Sequence, residues 1–331
     1  MTALLDVRDL SISFPNARPV QELSFTIEEG ETLAIVGESG SGKSLTALAL
    51  LRLLPRTAQM SAGRVRFAGR DLLALSEREF RKLRGRELAM IFQEPMTALN
   101  PVLPIGAQVA EVLRLHLGLS RKAAARRAVE VLDLVRIPDP ARCAAAYPHQ
   151  LSGGQRQRVM IAIAVAAHPS LLVADEPTTA LDVTIQAQIL DLLAQLRRDL
   201  SMALLLITHD LGVVAEWADR VIALYAGRKV EEARPEQLLG TPRHPYTQGL
   251  LAASPRLRAG YHYTDGPLIE IPGHIGSAAG EAGCPFAPRC GFTEPSCRTS
   301  MPPLLARDEG RLVACPVTAA REISHGHAVG L

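Results

Sequence analysis

The sequence predicts an α/β fold with a largely parallel sheet flanked by helices, and three observations carry that prediction. Short apolar runs alternate with longer amphipathic stretches over roughly the first 240 residues, the rhythm of successive βαβ units. The runs Thr32 to Val36, Ser170 to Ala174 and Ala203 to Thr208 are almost continuously hydrophobic, as strands covered on both faces are. Hydrophobic residues make up 47% of the 331-residue chain but aromatics only 4%, so a substantial core built from Leu, Ala, Val and Ile is expected.

Taken in order, the Thr32 to Val36 run leads into GESGSGKS, Gly37 to Ser44, and then into a helical stretch from Leu45 to Leu54. This is a full match to G-x-x-x-x-G-K-[ST] in the strand-loop-helix context that the motif requires. Gly37, Gly40 and Gly42 let backbone amides turn inward around phosphate oxygens, with Glu38, Ser39 and Ser41 between them, and the following helix directs its positive end at the same anion. Lys43 is expected on the β- and γ-phosphates, and the Ser44 hydroxyl on magnesium. A helix-rich insert follows, including Gly106 to Leu117 and Arg121 to Val135. Next comes LLVADE, Leu171 to Glu176, an apolar run delivering two adjacent acids into a polar crevice. Asp175 suits the magnesium shell and Glu176 an attacking water. The ends of the three strands, including His209 and Asp210, are expected to gather the ligand groups.

Beyond about Gly240 the prolines Pro242, Pro245, Pro255, Pro267, Pro272, Pro285, Pro288, Pro295, Pro302 and Pro303 break any long element, so a small irregular extension is expected. A poorly ordered tail after Thr318 is expected too. Within the extension, Cys284, Cys290, Cys297 and Cys315 form C-x5-C-x6-C-x17-C. Four thiolates in this pattern are read as ligands of a four-iron four-sulfur (4Fe-4S) cluster. Zinc is the alternative, since its sites use tighter spacing, and metal-free thiols or disulfides are a third reading. Cys143 has no partner pattern and reads as a small buried side chain.

Lys and Arg total 36 against 34 for Asp and Glu, a net charge of +2, which gives no electrostatic case for nucleic acid as a partner. Apolar runs such as Met160 to Ala167 are too short to span a bilayer, and Asp6 and Asp9 stand where a secretory signal would be basic. A cytoplasmic protein with reduced thiols is expected.

A phosphate loop does not select one function. Leu151 to Gln155, however, reads LSGGQ and is followed by RQRVMIAIAVAAH, which resembles the signature of ABC ATPases. The family's other elements occur in its order: Gln93 in IFQEP, Ala180 to Asp182 in TTALD, and His209 in LLITHD. The resemblance spans residues 4 to about 240. It implies a P-loop NTPase core of the ABC type over 1–240, a helical subdomain at about 95–168, and an extension over 241–331. It implies further that Ser152, Gly153, Gly154 and Gln155 cap the γ-phosphate held by another subunit, and that Gln93 senses magnesium and faces a permease. In the same way it places Asp182 at a dimer interface, His209 on the γ-phosphate and Phe14 on adenine. Within the family, IFQEPMTALNP at Ile91 to Pro101 and RHPYTQGLLAASP at Arg243 to Pro255 resemble dipeptide and oligopeptide importer subunits, with nickel importers in the same group. His244, Pro245 and Tyr246 read equally well as a packed turn.

That resemblance implies an ATPase coupled to peptide import, using ATP and magnesium, peripheral on the cytoplasmic face of the plasma membrane. Its implied partners are a second ATPase, identical or homologous, two permease subunits and, indirectly, an extracytoplasmic solute-binding protein. The cysteine pattern likewise resembles the cluster-bearing extension of such ATPases. A DNA-repair or translation ATPase would carry long insertions or tandem cassettes. A regulatory subunit would lack Glu176, His209 or the signature, all of which are present.

Overall fold

A computed structural model describes residues 3–93, 98–179, 181–254, 270–278, 282–307 and 310–317. Expectations attached to Glu94, Pro95 and Met96, to Ala180, to Pro255 and Pro267, and to the tail after Thr318 lie outside the described residues. The chain forms two compact units. One comprises Met1–Asp6, Thr26–Thr32 and Val65–Ile207, and the other Val7–Phe25, Leu33–Arg64 and Thr208–Leu331.

In the first unit, strands Leu88–Ile91, Leu171–Asp175 and Ala203–Thr208 run parallel, with Leu88 opposite Leu171 and Leu171 opposite Ala203. Every residue of Leu171–Asp175 is buried, including Asp175 at its end. An unbroken LLVA run is what a strand covered on both faces requires. The expected helical insert is present as Ile105–Leu117, Arg121–Leu134, Pro140–Ala145 and Gly153–Val165. Ser120 and Asp139 start the second and third of these by accepting from the backbone N–H of Ala123 and Arg142. Val109, Leu113, Ala128, Val131 and Leu132 are buried among them.

In the second unit, strand Thr32–Val36 lies parallel to Arg220–Tyr225, with Leu33 opposite Arg220 and Val36 opposite Ala223. Arg220–Tyr225 continues antiparallel to Arg228–Ala233, whose Glu231 and Glu232 pair with Val313 and Leu312 of the extension. The helix after the phosphate loop is Lys43–Leu50, shorter than the sequence predicts, because Arg52 adopts φ 52° and Pro55 follows. Prolines just before and within the extension begin short helices as well as limiting them. Pro235–Gly240, Pro245–Ala252 and Pro295–Thr299 each carry proline in the first turn, where its missing N–H costs nothing. The extension adds Tyr246, Phe286, Ala287 and Val317 to a buried cluster with Val36, Val214, Val221 and Tyr225. Among the described residues no helix is long and apolar enough to cross a membrane.

Candidate functional site

The phosphate loop, in the second unit, is built as its sequence requires. Gly40 and Gly42 take φ of 81° and 100°, the left-handed region that only glycine enters without strain. A Cβ at Gly42 would stand 2.2 Å from the Pro19 carbonyl oxygen, so neighbouring backbone closes against the loop at this point. Gly42 is also the N-cap of helix Lys43–Leu50 and offers no side chain to its first amides. Lys43 is buried, and its Nζ donates to Gly37 O at 2.7 Å and Glu38 O at 2.9 Å, drawing the loop around the ammonium group. The Ser41 hydroxyl is buried with no hydrogen-bond partner among the described residues. A glycine cradle, an uncapped helix start, an inward lysine and an orphaned hydroxyl together fit a polyphosphate. Ser44 is half-buried at the helix start, and Ser39 lies on the exposed side of the loop. Phe14 ends strand Leu5–Phe14 half-buried, and His209 is exposed directly after strand Ala203–Thr208.

The acids belong to the first unit. Glu176 sits one residue past the buried Asp175 with φ 46°, a conformation that non-glycine residues pay to hold and that recurs at active sites. Its backbone N–H donates to Ile207 O at 2.9 Å. Its carboxylate Oε2 accepts from Gln93 Nε2 at 3.0 Å and from Thr179 Oγ1 at 2.9 Å. The structure therefore brings the expected Gln93 and Glu176 together and adds Thr179, which sequence reasoning missed. The Ser44 hydroxyl, the Asp175 carboxylate and the Gln93 amide oxygen are hard oxygen donors of the kind magnesium takes.

The signature serine begins helix Gly153–Val165 in a capping box, with Gln155 N donating to Ser152 Oγ at 3.3 Å and Ser152 N to Gln155 Oε1 at 3.0 Å. Ser152 and Gly153 are exposed at this helix start. Gly154 has a packing reason as well, since a Cβ there would lie 2.9 Å from Ile185 Cγ2. Asp182 is the N-cap of helix Val183–Asp199 and accepts from Ile185 N at 2.9 Å.

The RHPYT segment is a packed turn with a reach of its own. Glu231, buried beneath it, accepts from the backbone N–H of Arg243 and of His244, both at 2.9 Å. His244 Nδ1 accepts from Tyr246 N at 3.1 Å, starting helix Pro245–Ala252, and full burial lowers the imidazole pKa to about 3. Tyr246 Oη accepts from Glu38 N, in the phosphate loop, at 2.8 Å.

The cluster expectation is corrected here, and the zinc alternative with it. Cys284, Cys290, Cys297 and Cys315 do line one pocket, beside Pro245, Phe286, Phe292, Pro302 and Val317. Among the described residues, however, no group of three or more His, Cys, Asp or Glu is placed to hold a metal ion. None of the four is joined in a disulfide. Burial pushes the Cys284 thiol up to about 11 and raises that of Cys290. Cys284, Cys297 and Cys315 are buried in the apolar cluster and Cys290 packs half-buried against it, while Cys143 is buried in the first unit. The spacing of the cysteines was legible in the sequence, but their apolar surroundings were not.

A largely parallel α/β architecture, a phosphate loop, a carboxylate at a strand end and a glycine-bearing signature helix define an ATP-binding cassette ATPase. The family profile described as ABC transporter matches residues 20–179, and the profile described as oligopeptide/dipeptide transporter, C-terminal region, matches residues 230–297. A protein of Brucella abortus named for peptide import and ATP binding is 50% identical over 318 residues, covering 95% of this chain and 94% of its own. An oligopeptide transport ATP-binding protein of Mycobacterium bovis is 50% identical over 321 residues, covering 95% of this chain and 52% of its own. A solved ATP-binding cassette, dimeric and bound to ADP and Pi, superposes with a TM-score of 0.63 at 29% identity over 70% of this chain and 98% of its own. The chain belongs to the ABC transporter family, among the ATP-binding subunits of peptide importers.

Proposed function

We propose that this chain hydrolyses ATP to energise import of dipeptides or oligopeptides through a membrane permease. The observation that carries the reading is the phosphate loop, whose left-handed glycines and inward Lys43 form an anion cradle in a chain half identical to peptide-import subunits. Lys43 and the first amides of its helix bind the β- and γ-phosphates. Glu176, oriented by Gln93 and Thr179, holds the attacking water and accepts its proton as the oxygen approaches phosphorus. His209 contacts the γ-phosphate, and Phe14 stacks on adenine. Ser44, Asp175 and Gln93 would hold magnesium, which would supply positive charge to offset that on the phosphate oxygens.

The Ser152 to Gln155 helix start, exposed at Ser152 and Gly153, serves the nucleotide of a second ATPase subunit, identical or homologous, with Asp182 at that interface. Two permease subunits anchor the pair at the cytoplasmic face of the membrane, and an extracytoplasmic binding protein delivers the peptide. The core spans 1–240, with the helical subdomain at about 95–168 and the importer extension over 241–331. The test is Lys43→Ala in the transporter assembled in vesicles. ATP affinity should fall at least about tenfold, the scale of a lost charge-assisted phosphate contact, and peptide uptake should fall with it. Unchanged ATP affinity would refute the site, and ATP-driven uptake of nickel but not of peptide would refute the cargo.

A further inference from the structure

Glu38 is the second residue of the phosphate loop, and the extension grips it twice. Arg289, three residues past Phe286 and next to Cys290, sends its guanidinium fork to both carboxylate oxygens, with Nη1 to Oε2 at 2.6 Å and Nη2 to Oε1 at 2.9 Å. The Arg289 side chain is 2% exposed and that of Glu38 29%, so a buried cation meets a half-buried carboxylate. Its remaining donors are fixed too. Nε reaches Pro272 O at 2.7 Å, Nη2 reaches Ile271 O at 3.1 Å, and Nη1 reaches Tyr225 Oη at 3.3 Å. The planar group also lies over the rings of Tyr225 and Phe286 at 5.7 and 5.9 Å. The second grip is the bond from Glu38 N to Tyr246 Oη, and Tyr246 is itself fully buried.

These contacts matter because Glu38 O is one of the two carbonyls that receive the Lys43 ammonium. An unpaired carboxylate at this point of the loop would repel a triphosphate and would be free to pull the loop out of register. Paired bidentately, its charge is offset and its direction fixed. We propose that Arg289 and Tyr246 are positioning residues for the phosphate loop, by which the importer-specific extension holds the ATP site in its binding shape through Glu38. The inference rests on the reading of Gly37 to Ser44 as the ATP site.

The experiment compares MgATP affinity, ATP KM and kcat for the full-length chain carrying Arg289→Met, Arg289→Lys, Tyr246→Phe, Glu38→Gln or Arg289→Met with Glu38→Gln, in the assembled transporter. Lys43→Ala is the control. Arg289→Met leaves Glu38 charged and unpaired, and KM should rise about tenfold while kcat stays within about twofold. Arg289→Lys keeps the charge but loses the fork, and should fall between that variant and wild type. Tyr246→Phe removes one hydroxyl, and KM should rise about three- to fivefold. The double variant should bind MgATP better than Arg289→Met alone, because the repelling charge is gone. That rescue separates positioning from mere folding, since a collapsed extension would not be repaired by Glu38→Gln. The proposal is overturned if Arg289→Met leaves KM unchanged while Lys43→Ala raises it, or if the double variant is no better than Arg289→Met. Should Lys43→Ala leave affinity unchanged, the reading of the ATP site itself falls, and the proposal with it.

Discussion

Two glutamates, one in each unit, are held in opposite ways. Glu38 is locked by a buried arginine that offsets its charge, whereas Glu176 accepts from a neutral amide and a neutral hydroxyl. Neutral donors orient a carboxylate without setting a countercharge on it, which suits the base that the proposed mechanism requires. A bidentate guanidinium sets a countercharge beside its carboxylate and fixes the direction in which it points. On the proposed mechanism, the acid of the phosphate loop is paired with a fixed cation, and the acid that takes the proton is aimed by neutral donors.

The most severe test of this contrast is the same substitution at both positions. Glu176→Gln should lower ATP turnover at least about a hundredfold with MgATP binding retained, the loss expected when a positioned general base is removed. Glu38→Gln should change turnover less than about threefold, because an amide still accepts from Arg289. Phosphate-release assays on the two variants decide it, and equal losses would erase the distinction between the two acids.

Much of this was readable in the chain, because it is written locally. The left-handed loop follows from glycines at fixed spacing, the buried strands from unbroken apolar runs, and the helix starts from Ser120, Ser152 and Asp182. Thr179 was also within reach, three residues from Glu176 in the same turn. The pairing of Arg289 with Glu38 was not, since 251 residues separate them and a lone arginine among prolines has no periodicity. The cysteines misled for a related reason. Spacing specifies which side chains can meet, but only their surroundings decide whether sulfur is held as thiol or thiolate.

The extension's hold on its unit should also be visible as a pH dependence. His244 is buried neutral with a pKa near 3, against 6.5 for the free side chain. Between those values the unfolded chain binds a proton that the folded chain refuses, so stability from this group is complete above about pH 7 and falls as pH drops through 6.5. From pH 7.5 to 5.5 the loss should be about 1.4 kcal/mol. His244→Asn keeps an acceptor for Tyr246 N and removes the titration, so denaturation curves at the two pH values should show a correspondingly smaller difference. An unchanged difference would mean that the imidazole is not held neutral.

The smallest effect concerns how Glu176 is aimed. Thr179 Oγ1 donates to the same oxygen that Gln93 Nε2 reaches, so two neutral donors converge on Oε2. Thr179→Val keeps the volume and branching of the side chain and deletes only the hydroxyl. The turn itself should survive, because Thr179 N still donates to Glu176 O at 3.2 Å. One orienting bond of about 1 kcal/mol corresponds to about fivefold in rate, so kcat should fall by about that factor with ATP KM unchanged. The loss should vanish in a Glu176→Gln background, where no base remains to be aimed, as groups that act as one unit are not additive. An equal fivefold loss in both backgrounds would place Thr179 outside the proton-transfer step and leave Gln93 as the orienting partner of Glu176.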